Sequence, residues 1–339
     1  MDLIRIGVAG WDYPDWAGIV YPSPLPGAFD RLSFLGAFFD VVEINVTFYR
    51  QPDPAAVSSW INRVASMSSF RFTAKLYQAL THPGMSSPVR QGPSLNNVAN
   101  RVKSAAATPP DKIDLIDLKS AASSYRTGIE PLVKSGRLGA VLMQFPQSFH
   151  DRPDSRIHLR TLAELLPGLP LVAEFRHRSW DNEGALAFLR DLDVGFCNID
   201  QPSLGATIPP TAHLTSSVGY VRLHGRNAAS WFTRNARGKT EGAGGRSSSA
   251  RYDYFYSCEE LRPWVGRARS LAERAEEVFL IANNHYRGKG PANALMLKSA
   301  LESRRVRAPA DLVSGFPDLK DCAEPVAGGK AEPAQGRLF

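Results

Sequence analysis

Eight short apolar runs recur along this chain, each closing on a polar or titratable residue, and they constrain its fold more than any other feature. The clearest opens at Leu171 behind Pro170, runs Leu171-Val172-Ala173 in the strand Leu171–Phe175, and ends in Glu174, Arg176 and His177. A continuous apolar run of this length reads as a strand covered on both faces, the kind found in parallel sheets. The others are Ile4–Ala9, Val41–Ile44, Phe70–Lys75, Leu138–Gln144, Val194–Asn198, Gly219–Leu223 and Val278–Ala282. Helices are predicted at Phe29–Phe39, Pro54–Val64, Asp117–Ser135 and Pro153–Leu166, then from Trp180-Asp181-Asn182 onward with Asp or Asn as N-cap. Two more are predicted, one ending near Arg274 and one at Pro291–Arg304. No hairpin signal intervenes, and no GxGxxG follows the first run. A (β/α)8 barrel is therefore favoured over a doubly wound sheet.

Composition narrows the setting. The chain has 339 residues, 43% hydrophobic and 22% charged, as expected of a globular protein. No window of ~18 apolar residues suggests a membrane span. Met1–Ile6 runs straight into a strand pattern, so no leader is expected. Cys197, Cys258 and Cys322 are odd in number and form no CxxC, which points to a reducing cytoplasm and to neither disulfides nor a thiolate zinc site. The net charge of +7 is compatible with an anionic partner.

The barrel is expected to occupy residues 1–305 as one domain. Residues 83–110, rich in Ser, Pro, Asn and Gly, read as an insertion after the third strand. Residues 306–339 read as a poorly ordered tail.

In a barrel of this kind the interior is packed and chemistry gathers at the carboxyl ends of the strands. Those ends here are Trp11; Glu43 and Asn45; Lys75; Gln144; Glu174 and Arg176; Asn198 and Asp200; Arg222 and His224; and Asn283 and Asn284. Alternation along a strand puts Glu43 with Asn45, Glu174 with Arg176, and Arg222 with His224 on shared faces. A carboxylate inside an apolar run, such as Glu43, is costly unless paired or bound to a ligand; a structural ion pair and a site role are both open. Lys75, if desolvated, would lose basicity and serve as a base or a Schiff-base amine, with Glu43 or Glu174 as partner; the alternative is an ion pair that orders the pocket.

Two further chemistries fit. Arg287-Gly288-Lys289-Gly290 precedes the last helix and, with Arg222, could hold an anion such as phosphate; the alternative is a solvated basic turn. Glu174, Asp200 and His224, with Glu43, could hold a divalent metal, although no HxH or HExxH is present. The aromatic first loop, with Trp11, Tyr13, Trp16 and Tyr21, either walls a pocket together with Tyr49 or simply caps the barrel mouth. Arg226–Arg251 carries Arg226, Arg234, Arg237, Lys239, Arg246 and Arg251 against one acid, Glu241, which keeps nucleic-acid binding open. Cys197 lies within a strand and reads as core.

At these same residues the chain resembles the YecE-like family (domain of unknown function 72), a TIM-barrel family. The matching pieces are Gly10-Trp11 with Tyr13 and Trp16; Glu43-Ile44-Asn45 with Thr47-Phe48-Tyr49; Phe72–Lys75; Gln144-Phe145-Pro146; Glu174-Phe175-Arg176 with Ser179-Trp180; Tyr220–Gly225; and Asn283-Asn284. The resemblance runs from about residue 4 to residue 301. It implies a barrel with one shared pocket and no particular reaction. The leading expectation is an enzyme acting on a phosphorylated or anionic small molecule by acid–base chemistry, with Glu43, Lys75, Glu174 and His224 as catalytic groups. Trp11, Asn45, Tyr49, Gln144, Arg176, Asp200, Arg222, Asn283, Asn284, Arg287 and Lys289 would bind the ligand. A nucleic-acid binding protein and a metal-dependent phosphodiesterase or endonuclease-like hydrolase are the rivals.

Overall fold

A computed structural model of the protein describes residues 3–82, 115–230 and 250–326. Eight parallel strands close into a barrel in sequence order. They are β1 (Ile4–Ala9), β2 (Val41–Ile44), β3 (Arg71–Lys75), β4 (Leu138–Gln144), β5 (Leu171–Glu174), β6 (Gly195–Asp200), β7 (Val218–Leu223) and β8 (Glu277–Ala282). Closure comes from β1 pairing with β8, Ile4 opposite Val278 and Val8 opposite Ala282. Each strand lies within a few residues of the run that predicts it, because runs covered on both faces leave little freedom in where a strand begins.

Strand parity decides what each side chain meets. Val41, Thr73, Ala140, Val172, Cys197, Tyr220, Phe279 and Ile281 alternate with the outward residues of their strands and are fully buried. Inside, Phe279 lies so close to β4 that a Cβ on Gly139 would sit 2.2 Å from its ring. The outward residues pack under helices. Val42 and Ile44 share one apolar cluster with Leu32, Leu35 and Val57; Phe175 and Phe196 share another with Trp180 and Leu189.

The helices begin at polar caps. The Asp30 carboxylate accepts from the Leu32 and Ser33 amides, and the Asn182 side chain accepts from Ala185. Ser257 and Glu260 form a reciprocal capping box for Cys258–Ala272. No helix joins β6 to β7; residues 201–217 form a loop tied to the β5 end by the His177–Thr207 bridge.

One expectation needs correction. Residues 306–326 are not a loose tail: Val306–Pro309 (β9) and Ala323–Val326 (β10) pair in parallel around a short helix, Ala310–Gly315. Val306, Ala308, Leu312, Leu319 and Ala323 are buried in the same cluster as β1 and the helix Lys289–Glu302. The Pro, Ala and Gly content hides this apolar spacing. The proposed insertion at 83–110 lies outside the described residues, as do positions 231–249 of the basic loop and 327–339.

Candidate functional site

The strand tips meet at the carboxyl end of the barrel in a buried charged centre. Arg222, at 0% exposure, lies between two equally buried carboxylates. One guanidinium nitrogen donates to Glu43 at 2.7 Å and another donates to Glu174. Glu174 also pairs with Arg176 and accepts from the Gln144 amide at 2.9 Å. Glu43 accepts from the Tyr220 hydroxyl at 2.9 Å, and that hydroxyl is 2.8 Å from Thr73 Oγ1. Residues from β2, β3, β4, β5 and β7 thus become neighbours, as inward parity at the strand ends requires.

Position and burial set the protonation of this centre. Burial disfavours the Glu174 carboxylate, but Arg176, Arg222 and His224 outweigh it and hold its pKa well below the usual range. Burial likewise opposes the Arg222 charge, and Glu174 and Glu43 more than restore it. His224 is kept neutral by burial and by Arg176, against the pull of Glu174. The Asn283 amide donates to its Nδ1 at 2.8 Å, which places the ring proton on Nε2, 3.4 Å from Glu174 Oε1.

Lys75 joins this centre to solvent. Its backbone carbonyl is fixed by the Thr47 hydroxyl at 2.7 Å and the Tyr125 hydroxyl at 3.0 Å. Its Nζ is 4.0 Å from Glu43 Oε1 and 5.7 Å from the centre of the Phe48 ring. Burial first, and the Arg222 charge second, lower its pKa to about 8, although Glu43 and Glu174 oppose the shift.

Above Lys75 lies a cavity of about 640 Å³. Trp11, Tyr13, Trp60, Tyr49 and Tyr252 give it aromatic walls, while Asn45, Asn283 and His285 supply polar groups. Gly10, at φ +76°, turns the chain out of β1 so that Trp11 and Tyr13 reach the mouth. Tyr13 donates to the Ala9 carbonyl at 2.7 Å and stacks on His285 with ring centres 4.3 Å apart. Burial raises the Tyr13 pKa and lowers that of His285 to about 4, so both are neutral at pH 7. Among the described residues, Asn45 Oδ1 and His285 Nδ1 are buried polar atoms with no hydrogen-bond partner. Trp16 and Tyr21 are fully buried in an apolar cluster and do not line the cavity, so only part of the aromatic loop faces it.

Other expected ligand residues do not join this site. Asp200 points outward from β6, where it takes a bidentate pair from Arg226 and hydrogen bonds from Tyr256 at 2.9 Å and Trp264 at 2.7 Å. The metal set of Glu174, Asp200 and His224 is therefore not assembled. Among the described residues no group of three or more His, Cys, Asp or Glu is placed to hold a metal. Asn284 also faces outward, donating to the Tyr254 carbonyl and Asn293, each at 2.8 Å. Lys289 is paired with Asp253, and Arg287 is exposed while its amide donates to Asp15. Neither they nor the fully buried Arg222 line the cavity. Arg226 of the basic loop is bound by Asp200 and Glu260.

Sequence reasoning passed over Asp12, Asp15, Arg50, Trp60, Tyr252 and His285, which all line the cavity. His285 follows Asn283-Asn284 directly, so its place just past a strand end is visible in the sequence. Trp60 lies on the helix Pro54–Arg63, where its spacing reads only as core.

The architecture defines a (β/α)8 barrel whose carboxyl-end cavity opens onto a buried carboxylate–guanidinium centre through one lysine. The chain belongs to the family described as "Protein of unknown function DUF72", whose model matches residues 5–314. It is 25% identical over 307 residues to the UPF0759 protein YunF of Bacillus subtilis (strain 168), covering 88% of this chain and 95% of that one. A crystal structure of a DUF72 family protein from Thermotoga maritima MSB8 is 28% identical, with a TM-score of 0.66, covering 88% of this chain and 99% of its own. A DUF72 family protein from Enterococcus faecalis V583, 21% identical with a TM-score of 0.67 and covering 88% and 96%, shares the fold. No helix among the described residues is long and apolar enough to cross a membrane.

Proposed function

We propose that this protein is an enzyme acting on a small anionic molecule, carboxylated or phosphorylated, by proton transfer at Lys75. One observation carries the reading: the buried centre holds two carboxylates, Glu43 and Glu174, against three cations, Arg176, Arg222 and Lys75, with Lys75 the one that lines the cavity. The surplus positive charge is held away from water, and an anion in the cavity relieves it. A lysine whose pKa is lowered to about 8 exchanges its proton near neutral pH, which suits general acid–base work. Glu43 relays the proton, and Arg222 holds Glu43 in place. Arg50 adds a second cation to the cavity lining, whose two carboxylates, Asp12 and Asp15, are met by Arg31 and by the Arg287 amide. His224, Glu174 and Gln144 act through the charged centre rather than on the ligand. Three free cysteines fit a reducing cytoplasm.

The test is ligand-induced thermal stabilisation. Sulfate, phosphate or sugar phosphates raise the melting temperature of the wild type and leave Lys75→Met unmoved. Stabilisation by neutral sugars alone would overturn the anionic reading.

A further inference from the structure

We propose that the substrate carries an aldehyde or ketone, and that the Lys75 amine joins it covalently as an imine at the floor of the cavity. The inference rests on the anionic-ligand reading above and names the substrate class of the same site. Three geometric facts support it. Lys75 is only 9% exposed, and it lines the cavity. Two buried hydroxyls clamp its backbone carbonyl, so the side chain starts from a fixed point. Glu43 Oε1, at 4.0 Å, is near enough to pass protons but makes no tight ion pair that would hold the amine charged.

The charged groups around the amine are Glu43 on β2, Glu174 and Arg176 at the β5 end, and Arg222 on β7. Tyr13 and His285, neutral at pH 7, line the cavity beside it. Among the described residues, two arginines and two carboxylates face the amine, so the charges around it do not favour an ammonium. A fall from 10.5 to about 8 leaves about 300-fold more neutral amine near pH 7 than on an ordinary lysine.

The step balances without an oxidant or reductant. The nitrogen lone pair adds to the carbonyl carbon, and the carbonyl oxygen takes up a proton. One of the two amine protons passes, by way of Glu43, to the carbinolamine hydroxyl, which leaves as water as the C=N bond forms, and the nitrogen keeps the other. The protonated imine then draws electrons from the adjacent carbon, so that a C–H or C–C bond there can be broken. Asn45 and Asn283 are the cavity amides available to the oxygens of such a molecule.

Reductive trapping tests the proposal on the full-length wild-type protein. Pyruvate, dihydroxyacetone phosphate, glyceraldehyde 3-phosphate and neutral dihydroxyacetone are each incubated with cyanoborohydride, and the labelled lysines are mapped by peptide mass spectrometry. The expected result is an adduct at Lys75 with an anionic carbonyl compound, heavier by that compound's mass less one oxygen atom. Lys75 should label at least tenfold faster than Lys134, an exposed lysine, and sulfate should slow it. Labelling spread over surface lysines with Lys75 unmodified throughout the panel would overturn the imine. If anions still stabilise the fold in that case, the acid–base reading stands without it; if they do not, both fall.

Discussion

Two charged clusters lie at the mouth of this barrel, and comparing them shows what turns buried charge into a site. One joins Glu43, Arg222, Glu174 and Arg176; the other joins Asp200, Arg226 and Glu260. Glu43, Glu174 and Asp200 are fully buried, Glu260 is partly exposed, and both clusters are held by arginine. They differ by the parity of one strand position. Asp200 is outward on β6 and is sealed by Tyr256 and Trp264 under the helix Cys258–Ala272. Glu43 and Glu174 are inward, and Lys75 connects them to a cavity. The sealed cluster satisfies each carboxylate oxygen with neighbouring donors and ties a loop to a strand. Among the described residues the open one carries one cation more than its carboxylates balance, an excess that the proposed anionic ligand would meet.

The largest expected effect comes from Arg222→Met, which strips the shared partner from two buried carboxylates. Stability should drop by roughly 3–5 kcal/mol in chemical denaturation, since breaking a buried pair leaves an uncompensated charge. Anion-induced stabilisation should vanish with it. Asp200→Asn should cost about 1–3 kcal/mol by leaving buried donors poorly met, yet leave the anion response of the open cluster intact. A loss of that response in Asp200→Asn would erase the distinction between the two clusters.

Acid provides the next contrast. His224 and His285 are kept neutral in the fold, and burial lowers the His82 pKa to about 4. The unfolded chain takes up protons at these residues below about pH 6.5 while the folded chain does not. Stability should therefore fall as pH drops from about 6.5 toward 4, and His285→Gln should flatten part of that slope in urea titrations at stepped pH.

The smallest effect is expected from Lys75→Met. The wild type carries a cation whose pKa is lower in the fold than in the unfolded chain. Between about pH 8 and 10.5 the unfolded chain holds the extra proton, so wild-type stability should rise with pH across that window and the Met variant should lack the rise. At pH 7 the variant should be as stable as the wild type or about 1 kcal/mol more so. A marked loss would make Lys75 a structural counterion and close the difference between the clusters.

The barrel was legible because strands covered on both faces must be apolar along their length and can only end in polar groups at the two rims. Glu43, Glu174, Lys75 and Arg222 stood out for the same reason, as charged residues attached to apolar runs. Distances across the barrel were not legible, and neither was the count of charges. Arg222 reads in sequence as a ligand-binding cation, but two carboxylates from β2 and β5 consume it. Asp200 and Asn284 stand at strand ends in the sequence, although parity turns them outward. The Arg287–Gly290 turn has the residues of an anion cradle, yet Lys289 is paired with Asp253. Trp60 and Tyr252 reach the cavity from a helix and a loop, where no strand-end rule applies.

The most direct measurement is the titration of the Lys75 side-chain amine by NMR of isotope-labelled lysine, with Lys75→Met supplying the assignment. The account predicts a midpoint near pH 8 that moves upward when sulfate or phosphate fills the cavity. A midpoint near that of exposed lysines, about 10.4, unmoved by either anion, would contradict it.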